Sequence, residues 1–256
     1  MMSGKRGQLA IFIILAIIAI AGVGIYFYIE KPGVLETAPE KSNSPIYIYA
    51  ENSIESAIHN SIEMFGLQQG YYESPKNYLD TGFSNVAYYY FEGRILIPET
   101  SFFEEELSKI INEKIAEQCS DFSIFEEDGY NINSDIENIN SEARISEDKI
   151  DVDISYPIFI SENGISTGFS EFSYEISARV GHILDVSKIL VEKIKESPGE
   201  TDLTFLLNQD VDISVLDFDK CNKIYILIDE NSTINSEPYA FSFAAGLEEK
   251  YCGSQE

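Results

Sequence analysis

The sequence predicts an α+β protein: one N-terminal transmembrane helix followed by an ectodomain of antiparallel strands packed with a few helices. Three observations predict it. Leu9–Ile29 contains no charged residue. Ser53–Leu67 and Ser101–Cys119 place apolar residues at helical spacing. After them, runs that alternate apolar and polar residues, separated by Gly, Asn and Asp turns, dominate the chain. Helices and hairpins segregated in this way indicate α+β layering rather than a regular βαβ alternation.

The apolar run comes first. As a helix rising 1.5 Å per residue it spans about 30 Å, the thickness of a bilayer's hydrocarbon core. Tyr26, Phe27 and Tyr28 lie at its far end, where an aromatic belt meets the headgroups. Lys5 and Arg6 precede it, while Glu30 and Lys31 cancel beyond it. The positive-inside bias then assigns residues 1–7 to the cytoplasm, 8–30 to the membrane helix and the rest to the outside. A cleaved secretory signal is a rival reading, because Ala19-Ile20-Ala21 fits a small-x-small cleavage pattern. The apolar residues continue through Ile29, however, so such a cut leaves a greasy new terminus. The small residues of the run, from Ala16 to Gly24, fall at no GxxxG-type spacing.

Residues 31–45, KPGVLETAPEKSNSP, read as a tether, and 46–252 as the extracytoplasmic α+β domain. Its first helix is expected over Ser53–Leu67, with Ile54, Ala57, Ile58, Ile62 and Phe65 on one stripe and Asn52 or Ser53 as cap. FSNVAYYYFEG reads as a strand. Ser101-x-x-Glu104 forms a capping box opening a second helix, buried through Phe103, Leu107, Ile110, Ile111 and Ile115. FSIFEE, stopped by Asp128-Gly129, reads as a strand, and 138–144 as a weaker one. Ile150 to Ile160 alternates strictly, Asn163-Gly164 supplies a tight turn, and Phe172 to Val180 alternates on the return. Gly181–Glu196 reads as a helix stopped by Ser197-Pro198-Gly199. Strands are expected at 211–216 and 223–229, with PYAFSFAAG closing the sheet. A helix followed by a run of antiparallel strands resembles the helix-on-curled-sheet arrangement of cystatin-like folds. DVDIS occurs at both 151–155 and 210–214, but its flanks differ and it marks no repeat.

The formal charge is −27, and Lys5 and Arg6 lie on the cytoplasmic side, so the exported part is more acidic still. This balance argues against nucleic acid as a partner and against close contact of the ectodomain with anionic lipid. The lipid bilayer is engaged through residues 9–29 alone. Three cysteines, Cys119, Cys221 and Cys252, allow one disulfide with one thiol left over. All three pairings are open; Cys221 and Cys252 are the candidates, since a hairpin between them can bring its ends together.

No sequence signature for a cofactor or metal is present. There is no CxxC, no zinc-type His spacing and no EF-hand loop. Glu126, Glu127, Asp128 and Asp135, or Asp217, Asp219 and Asp229, are the acidic groups that would supply oxygen ligands to Ca²⁺; cation screening is the plainer reading. Gly164-Ile165-Ser166-Thr167-Gly168 matches GxSxG, but a nucleophile elbow needs a strand before it and a helix after it. His182 follows with no aspartate between to orient it. His59 and His182 read as helix residues. Tyr71-Tyr72 and Tyr88-Tyr89-Tyr90-Phe91 offer either a contact surface for peptide or glycan or ordinary sheet packing. Asn231-Ser232-Thr233 is the glycosylation sequon, expected in a hairpin loop.

Lys5-Arg6-Gly7-Gln8 followed at once by the apolar run resembles the class III signal of archaeal type IV pilin-like proteins and of single-anchor archaeal envelope proteins. The resemblance covers about residues 5–30. It implies a peptidase cut between Gly7 and Gln8, with the apolar segment retained. Many pilins carry glutamate at the fifth mature position, where this chain has Phe12. The expectation is a non-enzymatic, single-pass cell-membrane protein whose domain serves a structural or binding role toward an envelope or pilus protein. A minor pilin-like subunit is the alternative, and a tethered hydrolase resting on GxSxG is the third reading.

Overall fold

The computed structural model describes residues 44–162 and 165–252. The anchor segment, the Gly7–Gln8 processing position and the Asn163-Gly164 turn lie outside them. Among the described residues no helix is long and apolar enough to cross a membrane.

The first helix, α1 (Pro45–Leu67), starts eight residues earlier than its stripe at Ser53 suggested. Pro45 fits the first turn, where its missing N–H costs nothing, and Ile46 and Ala50 extend the buried stripe back by two turns. Short strands β1 (Tyr78–Asp80) and β3 (Arg94–Ile95) flank β2 (Asn85–Phe91). Helix α2 (Thr100–Gln118) follows. FSIFEE is not a strand: Ser123–Glu126 forms the short helix α3. Phe122 and Phe125 both pack edge-on against Tyr49, at 5.8 and 5.4 Å between ring centroids. An alternating strand would point residues three apart to opposite faces, so the shared partner favours the helical turn.

Strands β4 (Asn131–Ser134), β5 (Asn140–Ile145), β6 (Ile150–Glu162) and β7 (Ile165–Ile176) form one antiparallel sheet. β4 and β5 share one edge of β6, and β7 takes the other. Helices α4 (Val180–Glu196) and α5 (Leu203–Leu207) lead into β8 (Asp212–Asp217), β9 (Asn222–Ile234) and β10 (Glu237–Gly246). These three join β1–β3 in a six-stranded sheet of order β1-β2-β10-β9-β8.

The class is therefore α+β, and the sheets depart from expectation. The strands lie in two sheets, not one curled sheet, and β10 runs parallel to β2 while its other pairing is antiparallel. β10 also lies inside the sheet instead of closing it. Its Ala244, Ala245 and Phe243 have no exposure, as a strand covered on both sides requires.

One core links both sheets. α1 packs on α2, on β9 and β10 of the larger sheet, and on β7 of the smaller. Tyr47 of α1 meets Phe169 and Phe172 of β7, and the Tyr174 hydroxyl donates to the Glu51 carbonyl at 2.9 Å. On the inner face of the larger sheet, Tyr225, Phe243 and Tyr89 from β9, β10 and β2 stack in a row, with adjacent ring centroids 5.1 and 5.0 Å apart. The tyrosine run is thus mostly core: Tyr89 and Tyr90 are buried and Tyr88 nearly so.

The capping box does not form. Glu99 is the N-cap of α2, with no side-chain cap bond. Glu104 instead accepts the Ile145 N–H at 2.9 Å, and Ser108 Oγ accepts that of Ala143 at 3.0 Å. Both donors lie on β5, so α2 covers an edge that would otherwise invite another strand.

Candidate functional site

A cavity lies between the C-terminal half of α4, the loop after it, α5 and β9. It has a volume of about 350 Å³. Leu190 and Ile194 reach it because they belong to the buried stripe of α4, which ends where Ser197-Pro198-Gly199 begins. The chain then doubles back into α5, where Asp202 Oδ1 caps the helix by accepting the Phe205 N–H at 2.9 Å. This places Phe205 and Leu206 opposite α4, with Tyr225 from the aromatic row between them.

Lys193 crosses the cavity. Its Nζ lies 2.9 Å from Asp202 Oδ2 and 4.8 Å from the centre of the Phe205 ring. The hydrogen bond from Lys193, with that from the Phe205 N–H, holds the Asp202 carboxyl below the usual range. Tyr225 is 3% exposed, and burial, with a contribution from the Asp217 charge, pushes its hydroxyl up to about 12. Glu196, Glu200 and Thr201 stand at the rim. The arrangement offers an apolar floor, a neutral phenol and carboxylates, which is the chemistry of binding.

A set of linked charges lies at the other end of α4. Arg179 donates to Asp229 Oδ1 at 3.1 Å and to Asp210 Oδ2 at 2.5 Å, and His182 Nε2 lies 2.7 Å from Asp210 Oδ1. Asp229 is fully buried, and its Oδ1 also accepts the Asn231 N–H at 3.0 Å. Burial pushes the Asp210 carboxyl up, but hydrogen bonds from Arg179 and His182 outweigh it and hold the group below the usual range. Every charge here has an internal partner, so the cluster clamps α4 to β9 and the segment before β8.

The residues singled out from sequence fall elsewhere. Cys221 and Cys252 form the disulfide, with Cα atoms 4.6 Å apart, and Cys119 is a buried free thiol. Asn231 is not in a hairpin loop but on an irregular stretch of β9, where pairing with β10 skips from Thr233 to Asp229. The hydroxyl of the sequon's Ser232 is buried and accepts the Arg179 N–H at 2.8 Å. Ser166 lies in strand β7 opposite Ser161, so the GxSxG match has no elbow. Gly168 is there for packing, since a Cβ would meet the Ile158 carbonyl at 3.1 Å. Asp219 holds the β8–β9 turn through the N–H groups of Cys221 and Asn222, and Asp217 pairs with Lys223 at 3.2 Å. Among the described residues no group of three or more His, Cys, Asp or Glu is placed to hold a metal ion. His59 is half-buried on α1. The cavity was missed in the sequence because Tyr225, Phe205 and Leu190 look there like ordinary core residues.

Compared with protein-family models, curated proteins and solved structures, the chain finds no match.

Proposed function

We propose that this chain is a single-pass envelope protein that holds an acidic α+β domain outside the cell membrane, as a non-enzymatic structural or binding component. The observation that carries this reading is the uncharged run Leu9–Ile29, with Lys5 and Arg6 before it and a folded domain beginning at Pro45. The Cys221–Cys252 disulfide supports it, because such bonds persist in oxidising compartments outside the cytoplasm. The charge of −27 suits a domain that stands off from anionic lipid.

The test is protease treatment of intact cells carrying a C-terminal tag. The tag is expected to be lost from outside, while the protein resists extraction by alkaline carbonate before digestion. A protected tag, or release by carbonate, overturns the reading.

Lys5-Arg6-Gly7-Gln8 favours a second reading, a minor pilin-like subunit cut after Gly7. A mature N-terminus at Gln8 and copurification with sheared filaments would support it. A start at Gly22 would mean that the apolar run is discarded, against both.

A further inference from the structure

We infer that the cavity between α4, α5 and β9 is a binding site for a primary ammonium group on a short aliphatic stem. Two independent features point to it. The first is Tyr225, 3% exposed, whose hydroxyl makes no hydrogen bond among the described residues although it lines the cavity. Its oxygen is open to the cavity, so a donor or acceptor bound there takes the place of solvent at the phenol. The second is charge. The cations around the cavity are already used: Lys193 by Asp202 and the Phe205 ring, Lys223 by Asp217. Glu196 and Glu200 line the rim with no ion pair among the described residues.

The ligand's chemistry follows. Its stem covers Leu190, Ile194 and Leu206, and its ammonium donates to the rim carboxylates and the phenol oxygen. Lys193 displays the recognition from within the chain: an ammonium on an aliphatic stem, set between a carboxylate and an aromatic ring. An anionic ligand would meet two unpaired carboxylates and find no free cation among the lining residues to offset them. The inference rests on the described domain and not on where that domain resides, so it fails or holds separately from the membrane reading.

The experiment is calorimetric titration of the full chain, in non-ionic detergent at neutral pH, with pentylamine, pentanoate and ammonium chloride. Pentylamine is expected to bind saturably, with ammonium chloride and pentanoate giving no saturable heat. The Glu196→Gln/Glu200→Gln double variant should bind about fivefold more weakly. Tyr225→Phe, which keeps the aromatic stack, should also weaken binding. Lys193→Met should tighten it by removing the internal competitor, whereas a site for anions would lose affinity. Saturable pentanoate binding, equal heat from ammonium chloride, or unchanged affinity in the double variant overturns the inference. So does the absence of saturable pentylamine binding up to about 10 mM.

Discussion

Arg179 illustrates how a single side chain can fix where a helix begins. It faces a fully buried Asp229, whose Oδ2 has no hydrogen-bond partner among the described residues. Arg179→Met removes the charge that offsets this carboxylate. It should destabilise the protein by about 3–5 kcal/mol, read from the denaturant midpoint. Arg179→Met combined with Asp229→Leu should recover most of that loss, because no buried charge then remains unpaired. Asp210 makes a separate contribution at low pH. Its folded pKa lies below the unfolded value of about 3.9. The stability it supplies is therefore present above about pH 4 and lost as pH falls through the lowered value. Asp210→Asn should flatten that acid limb in a series of thermal midpoints taken at decreasing pH. A limb as steep as in the parent chain would mean that other carboxylates carry it.

At the scale of elements, α1 shows packing overriding propensity. Gly66 lies within the last turn of the helix, where alanine would ordinarily be better by up to about 1 kcal/mol. A Cβ there would collide with the Ala240 carbonyl of β10 and press on the Tyr239 ring. Gly66→Ala should therefore destabilise by about 1–3 kcal/mol, a change of sign that thermal melts can read. The same helix is tied to the β9–β10 turn, where Asn235 donates to Asn60 at 3.0 Å and to Glu63 at 2.8 Å. α2 shows a related substitution of roles. Glu104 fits a capping box by spacing, yet its carboxylate serves β5, because the β5 edge offers a partly buried donor that the exposed helix end does not. Spacing along a chain reveals which groups can meet locally, but not which distant group competes for them.

For the whole molecule, the disulfide closes a loop between residues 31 apart, around the β9–β10 hairpin. Chain-entropy reasoning gives it about 3–4 kcal/mol, so reduction should lower the thermal midpoint without altering the native fold. Thiol labelling checks the pairing. Burial pushes the Cys119 thiol up to about 12, and the native protein should take up no iodoacetamide. Unfolding without reductant should expose Cys119 alone, and unfolding with reductant should label all three cysteines. Labelling of Cys221 in the unfolded, unreduced chain would refute the pairing.

The sequence by itself determined the α+β class, the long alternating strands β6 and β7, the helix after them and the overall acidity. Each rests on a period or a composition that survives any packing. The apolar run at 9–29 is equally legible, although it lies outside the described residues. Only the tertiary structure decided that the strands divide into two sheets, that β2 and β10 run parallel, and that FSIFEE turns as a helix. It also decided that Asn231 lies on a strand irregularity, and that Tyr225, Lys193 and Glu200 surround one cavity. The reason is physical: these outcomes depend on contacts between residues far apart in the chain. Pattern along the chain shows which face a residue presents, and only packing shows what that face meets.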